Sequence, residues 1–154
     1  MALRWWRLVA IVAVGLGLGL GWNSWSGRGL ALGSNAFVRP GEDPEEIEPA
    51  VAKARIDEGA LVLDARGLDY YEMGHIPGAR SLPEDDTFDA SFARLEDTLR
   101  RRFDIIVYCS GYGCEASHLV ARKLRDRGIH AAILHEGWPA WTEAGYPVKK
   151  GLEP

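Results

Sequence analysis

Cysteine is scarce in this 154-residue chain, and so is methionine, with two of each. Two cysteines are too few for the disulfide framework that holds many small secreted domains together. An excess of one charge is also missing. Eighteen Lys and Arg stand against 22 Asp and Glu, for a net charge of -4, so charge balance implies no nucleic-acid-binding face. There is no internal repeat. His118, His130 and His135 show no metal-ligand spacing, and a set made of Cys109, Cys114 and His118 is unlike the common zinc motifs, so no metal is expected. What is present is ordinary for a packed core: 47% hydrophobic and 26% charged residues. The length suits one domain plus an appendage and is too short for two full domains.

Charge is absent altogether from Leu8 to Ser26. Arg4 and Arg7 precede this run, and Trp5, Trp6, Trp22 and Trp25 bracket it. A helix from Trp5 to Trp25 would span about 30 Å, one hydrocarbon thickness, with tryptophans at both interfaces. Two readings stay open. One is an uncleaved single-pass anchor over residues 1–26; the other is a signal peptide, with small residues near Ala31 to Ala36. The glycines at 15, 17, 19 and 21 are not a dinucleotide loop, because no strand-turn-helix pattern surrounds them. Either reading sends the rest of the chain across the membrane. The expected location is therefore the membrane, with an extracytoplasmic (periplasmic) globular domain, or secretion after cleavage.

Residues 27–46, rich in Gly, Ser, Asn, Pro and acid, read as a flexible linker. Beyond them helix and strand signals alternate. Ile47 to Asp57 has helical spacing, Leu61-Val62-Leu63 is a short apolar run, and Leu68 to Met73 suits a short helix ended by Gly74. Phe88 to Arg101 places Phe88, Phe92, Leu95 and Leu99 on one stripe, and Arg100 to Arg102 read as its solvated C-terminal turn. Phe103 to Tyr108 predicts a second buried strand, Cys114 to Arg127 a helix closed by Gly128, and Ala131 to Leu134 a further strand. Strands that are apolar without strict alternation, interleaved with helices, imply an α/β domain over residues 47–151. Its parallel sheet would be covered by helices on both faces.

In such a fold chemistry gathers where a strand ends and a helix begins. That junction here is Val107-Tyr108-Cys109-Ser110-Gly111-Tyr112-Gly113-Cys114-Glu115-Ala116-Ser117. Two glycines let the backbone turn sharply, and the next helix adds free amides and the positive end of its dipole. Amides of Ser110, Gly111, Tyr112, Gly113, Cys114 and Glu115 could then cradle an anion, and a thiol at its base would favour the thiolate. Taken alone, the pattern equally fits a small buried hydrophobe at a strand end.

The neighbouring motifs tip that balance. Leu61-Val62-Leu63-Asp64-Ala65-Arg66, then Tyr71-Glu72-Met73-Gly74-His75-Ile76-Pro77-Gly78-Ala79, then Ile106-Val107-Tyr108-Cys109 follow in order. Glu136-Gly137-Trp138-Pro139-Ala140-Trp141 and Ala144-Gly145-Tyr146-Pro147-Val148 complete the series. In these pieces the chain resembles the rhodanese-like (sulfurtransferase) family from Ile47 to Gly151. The resemblance implies a rhodanese-like single domain in which Cys109 is the nucleophile. It would take sulfane sulfur as a persulfide and pass it on, with a small sulfur donor and a thiol acceptor as partners and no cofactor. Asp64 and Arg66 match the residues after the first central strand and read as a buried, supporting ion pair. His75 reads as a support bonded to backbone rather than a proton carrier. Trp138 and Trp141 read as packing the last helix, with one edge reaching the pocket rim.

The chain also departs from the family pattern. No Arg or Lys lies between Cys109 and Ser117, which argues against strong attraction for the thiosulfate dianion and against a Cys-Arg phosphatase. A persulfide or low-molecular-weight thiol donor is expected instead. Cys114 stands as a resolving thiol able to attack a Cys109 persulfide, or else as a helix-start cysteine without a role. The rival functions are a non-catalytic sulfur-binding or sensing module and a thiol-disulfide redox protein using Cys109 and Cys114. The sequence specifies no protein partner.

Overall fold

The structure is a computed structural model, and it describes residues 43–154. The expected anchor or signal segment (1–26), and the expected linker as far as residue 42, lie outside the described residues. Among the described residues no helix is long and apolar enough to cross a membrane.

The elements are β1 (Glu46–Ile47), α1 (Pro49–Asp57), β2 (Leu61–Asp64), α2 (Leu68–Met73), β3 (Arg80–Ser81), α3 (Phe88–Arg100), β4 (Ile105–Tyr108), α4 (Ala116–Asp126), β5 (Ala132–Leu134) and α5 (Gly137–Glu143). The strands form one sheet in the order β1-β5-β4-β2-β3, and every pairing is parallel. β4 and β2 are buried along their whole length, as strands covered on both faces must be.

Side-chain alternation divides the core in two. Leu61, Leu63, Ile105 and Val107 pack with Phe88, Phe92 and Leu99 of α3 and with Val120 and Leu124 of α4. Val62, Ile106 and Tyr108 point the other way, toward Ala52 of α1, Tyr71 of α2 and Trp141 of α5. Each successive strand residue switches layer because Cβ atoms alternate across a strand.

Several boundaries differ from the sequence reading. Glu46 and Ile47 belong to the sheet edge and pair with Ile133 and Leu134. The linker therefore ends before 46, and the first helix begins at Pro49, whose fixed φ and missing N–H suit a first helical turn. The helix expected from Cys114 begins two residues later, at Ala116. The Cys114 amide instead donates to the Gly111 carbonyl (3.0 Å) and closes a turn. β3 has no apolar run to announce it and was not expected. It exists because Arg80 and Ser81 complete the ladder on Leu63 and Asp64.

Candidate active site around Cys109

Cys109 follows β4 directly and is 3% exposed. Its carbonyl oxygen accepts a hydrogen bond from the Trp138 amide (2.8 Å), so the first turn of α5 grips the base of the loop. That grip demands glycine at 137, where φ is +55° and a Cβ would run into the Cys109 carbonyl oxygen. Gly111, at φ +110°, lies against Pro139, and a Cβ there would come within 2.8 Å of the ring. The loop is thus pressed onto α5 at two points where any side chain would be in the way.

Within the loop Cys109 and Cys114 are paired as a disulfide, with Cα atoms 6.5 Å apart. The Cys109 sulfur also lies 3.5 Å from the Ser117 hydroxyl and 3.3 Å from the Cys114 carbonyl oxygen. Of the amides expected to cradle an anion, that of Cys114 is engaged with Gly111. Those of Ser110, Gly111, Tyr112, Gly113 and Glu115 donate to no described residue. Tyr112 is strongly exposed, and its hydroxyl donates to the Glu136 carboxylate, tying the loop tip to the start of α5. That hydrogen bond raises the Tyr112 pKa from its ordinary value.

A cavity of about 410 Å³ opens onto the two cysteines. Its walls include Ser117, His118 and Arg122 of α4, together with Glu46, His135 and Glu136. Glu46 reaches both histidines, at 2.7 Å from His135 Nδ1 and 3.5 Å from His118 Nε2. Its hydrogen bond is the main cause that raises the His135 pKa above the ordinary histidine value. The loop itself carries no cation, and Arg122, one helical turn beyond His118, lines the same cavity as Glu46, Glu115 and Glu136. The i, i+4 spacing of 118 and 122 held the clue, since such residues share a helix face. Glu46 was not singled out for the site, Glu136 entered only as part of a motif, and His118 and His135 were weighed only as metal ligands and set aside.

Beneath the loop lies a buried polar network. Asp64 is fully buried and accepts from the Arg66 backbone amide (2.9 Å), from Arg66 Nε (2.9 Å) and Nη2 (2.6 Å), and from the Tyr108 hydroxyl (2.6 Å). Arg66 also donates to the Gly74 carbonyl, and its guanidinium lies 4.6 Å from the centre of a Trp138 ring. Burial lowers the Arg66 pKa, but the hydrogen bonds and charge of Asp64 outweigh it and hold it above its ordinary value. Burial, reinforced by Asp64, pushes the Tyr108 hydroxyl well above the usual range, so it remains a donor. Parallel register sets Asp64 beside Tyr108 at the ends of β2 and β4. The network therefore supports the floor under Cys109.

His75 does not line the cavity. It is fully buried, stacked on the Tyr71 ring at 3.9 Å, with Nδ1 3.0 Å from the Tyr71 carbonyl oxygen. Trp141 is buried and donates to the Pro147 carbonyl, while Trp138 and Arg66 line a second, smaller cavity with Ser110. No cluster of three metal-binding side chains occurs among the described residues.

A parallel α/β domain with a cysteine at a strand-to-helix loop defines a class, and comparison with known proteins gives the family within it. Residues 48–144 match the rhodanese-like domain family, and the chain belongs to it. An HTH-type transcriptional regulator of Mycobacterium tuberculosis is 34% identical over 112 residues, which are 72% of this chain and 47% of that protein. The tRNA sulfurtransferase of Thermoplasma acidophilum is 37% identical over 79 residues, 51% of this chain and 14% of that protein. The chain thus spans less than half the length of either relative. Among solved structures, the rhodanese-like domain of an Anabaena protein aligns with a TM-score of 0.58 at 29% identity, covering 72% of this chain and 82% of that one. Thiosulfate sulfurtransferase from Pseudomonas aeruginosa aligns with a TM-score of 0.58 at 27% identity, covering 71% of this chain and 21% of that one.

Proposed function

We propose that this protein is a sulfurtransferase that carries sulfane sulfur as a persulfide on reduced Cys109 and hands it to a thiol or other nucleophile. The observation that carries this reading is the position of Cys109: at the end of the central strand, facing a cavity, beside amides that donate to nothing else among the described residues. Such donors stabilise a thiolate and, after loading, the terminal anionic sulfur. The similarity to a tRNA sulfurtransferase and to a thiosulfate sulfurtransferase supports the same chemistry. Asp64 and Arg66 act as supports rather than as reacting groups. Arg122 lines the cavity together with Glu46, Glu115 and Glu136, so acidic groups outnumber the one guanidinium and a persulfide or low-molecular-weight thiol donor fits better than the thiosulfate dianion.

The test is to reduce the protein, incubate it with thiosulfate or with inorganic polysulfide, and map the added mass. The wild type gains one sulfur on Cys109 and turns over with cyanide or a thiol acceptor, while Cys109→Ser gains none. A Cys109 that gains no sulfur under either donor, in a protein that also releases no sulfide, would remove the assignment. The similarity to a transcriptional regulator favours a second reading, a sulfur-sensing module. It would give a stable adduct without turnover. The uncharged run from Leu8 to Ser26 further supports placing the domain at a membrane, on its extracytoplasmic side. Recovery of the intact chain in the soluble cytoplasmic fraction would overturn that placement.

A further inference from the structure

We infer that Cys114 resolves the Cys109 persulfide within its own loop and releases the carried sulfur as hydrosulfide, making the protein a dithiol-dependent persulfide reductase. The inference rests on the persulfide reading above and adds a fate for the sulfur. It starts from the pairing of the two cysteines, whose Cα separation of 6.5 Å falls within the range that a disulfide spans without backbone movement. The backbone holds them there. The Cys114 amide closes its turn on Gly111, and Gly111 packs against Pro139, so the loop returns the second sulfur to the first. Cys109 is almost wholly covered whereas Cys114 is half-buried. The thiol best placed to reach the inner persulfide sulfur is therefore the one already in the loop, with the advantage of an intramolecular reaction.

The steps balance. Reduced Cys109 takes a sulfur atom from an inorganic polysulfide or a low-molecular-weight persulfide, leaving the shortened polysulfide or the free thiol. The Cys114 sulfur then attacks the Cys109 sulfur. A bond forms between the two side chains, the bond from Cys109 to the outer sulfur breaks, and the proton of the Cys114 thiol leaves with that sulfur as hydrogen sulfide. The two thiol-level sulfurs of the protein are oxidised to the disulfide, and the sulfane sulfur is reduced by the same two electrons. A dithiol of the thioredoxin class, or dithiothreitol in a test, reduces the disulfide and returns both thiols. The released sulfur leaves through the cavity that opens onto both cysteines. While the disulfide stands, Cys109 takes no sulfur, so loading waits on reduction.

The experiment uses the full chain, reduced, loaded with sodium tetrasulfide, freed of donor and reductant, and followed by intact mass and sulfide assay. The wild type is expected to release one sulfide per loaded chain and to end two hydrogens lighter than the reduced protein. Peptide mapping should find Cys109 joined to Cys114, and the rate should be independent of protein concentration. In Cys114→Ser, normalised to the fraction loaded, the Cys109 persulfide should last at least about tenfold longer. A wild-type persulfide as durable as the variant's overturns the inference and leaves the sulfurtransferase reading standing. So does migration of the extra sulfur to Cys114 without sulfide release. Absence of loading in both proteins removes the underlying function as well.

Discussion

The loop after β4 and the polar network below it sit within a few residues of each other and are built on opposite plans. In the loop, five amides donate to no described residue, the Tyr112 ring is exposed, and the two cysteine sulfurs are paired with each other. In the network, Asp64 takes four donors, Arg66 is bonded on two sides, and both are buried. A buried charge is tolerated only when paired and hydrogen-bonded, so the lower region has one stable arrangement. Groups left without partners are the ones able to meet a substrate. The contrast separates a part that fixes geometry from a part with hydrogen-bond donors to spare.

That separation can be broken by experiment. Cys109→Ser should lose all sulfur loading while its Tm stays within a few degrees of wild type, because the site is small and the change nearly isosteric. Asp64→Ala should do the reverse in kind. It leaves Arg66 buried without its counter-charge and should lower unfolding free energy by about 3–5 kcal/mol in urea titrations. Were Asp64→Ala stable yet unable to load sulfur, the network would belong to the chemistry after all. Gly137→Ala probes the joint between the two regions. Its left-handed backbone and the collision with the Cys109 carbonyl should cost on the order of 1–3 kcal/mol and slow persulfide formation by misplacing the loop.

The smallest effect is expected at the cavity rim. Because the Glu46 hydrogen bond raises the His135 pKa, that link stabilises the fold fully below the unfolded histidine value of about 6.5 and is lost as pH rises through the higher folded value. Histidine NMR titration should show the His135 midpoint falling toward the ordinary value in Glu46→Gln, with thermal stability almost unchanged because the pair is exposed. An unmoved midpoint would mean that Glu46 does not hold His135 in solution.

Much of the architecture was legible in the chain because it rests on local pattern. Leu61 to Leu63 and Ile105 to Val107 are apolar runs too short for helices, and the stripe through Phe88, Phe92 and Leu99 carries a helical period; each lies in the expected element type. Cys109 and its glycines marked the loop because a strand-to-helix turn needs those residues. The two-residue strands were not legible. Arg80-Ser81 and Glu46-Ile47 have no periodicity, and only neighbouring strands make them part of a sheet.

By itself the sequence determined the alternating elements, the place of Cys109 at the junction of strand and helix, and the pairing of Asp64 with Arg66, two residues apart in the chain. Tertiary structure alone decided the cavity. It brought Glu46 to His118 and His135, put Arg122 in the wall of the cavity that opens onto the cysteines, and set Gly137 against the Cys109 carbonyl. Periodicity and turn chemistry act over a few residues, whereas contacts between the ends of distant strands depend on sheet order and register, which no local stretch of chain encodes.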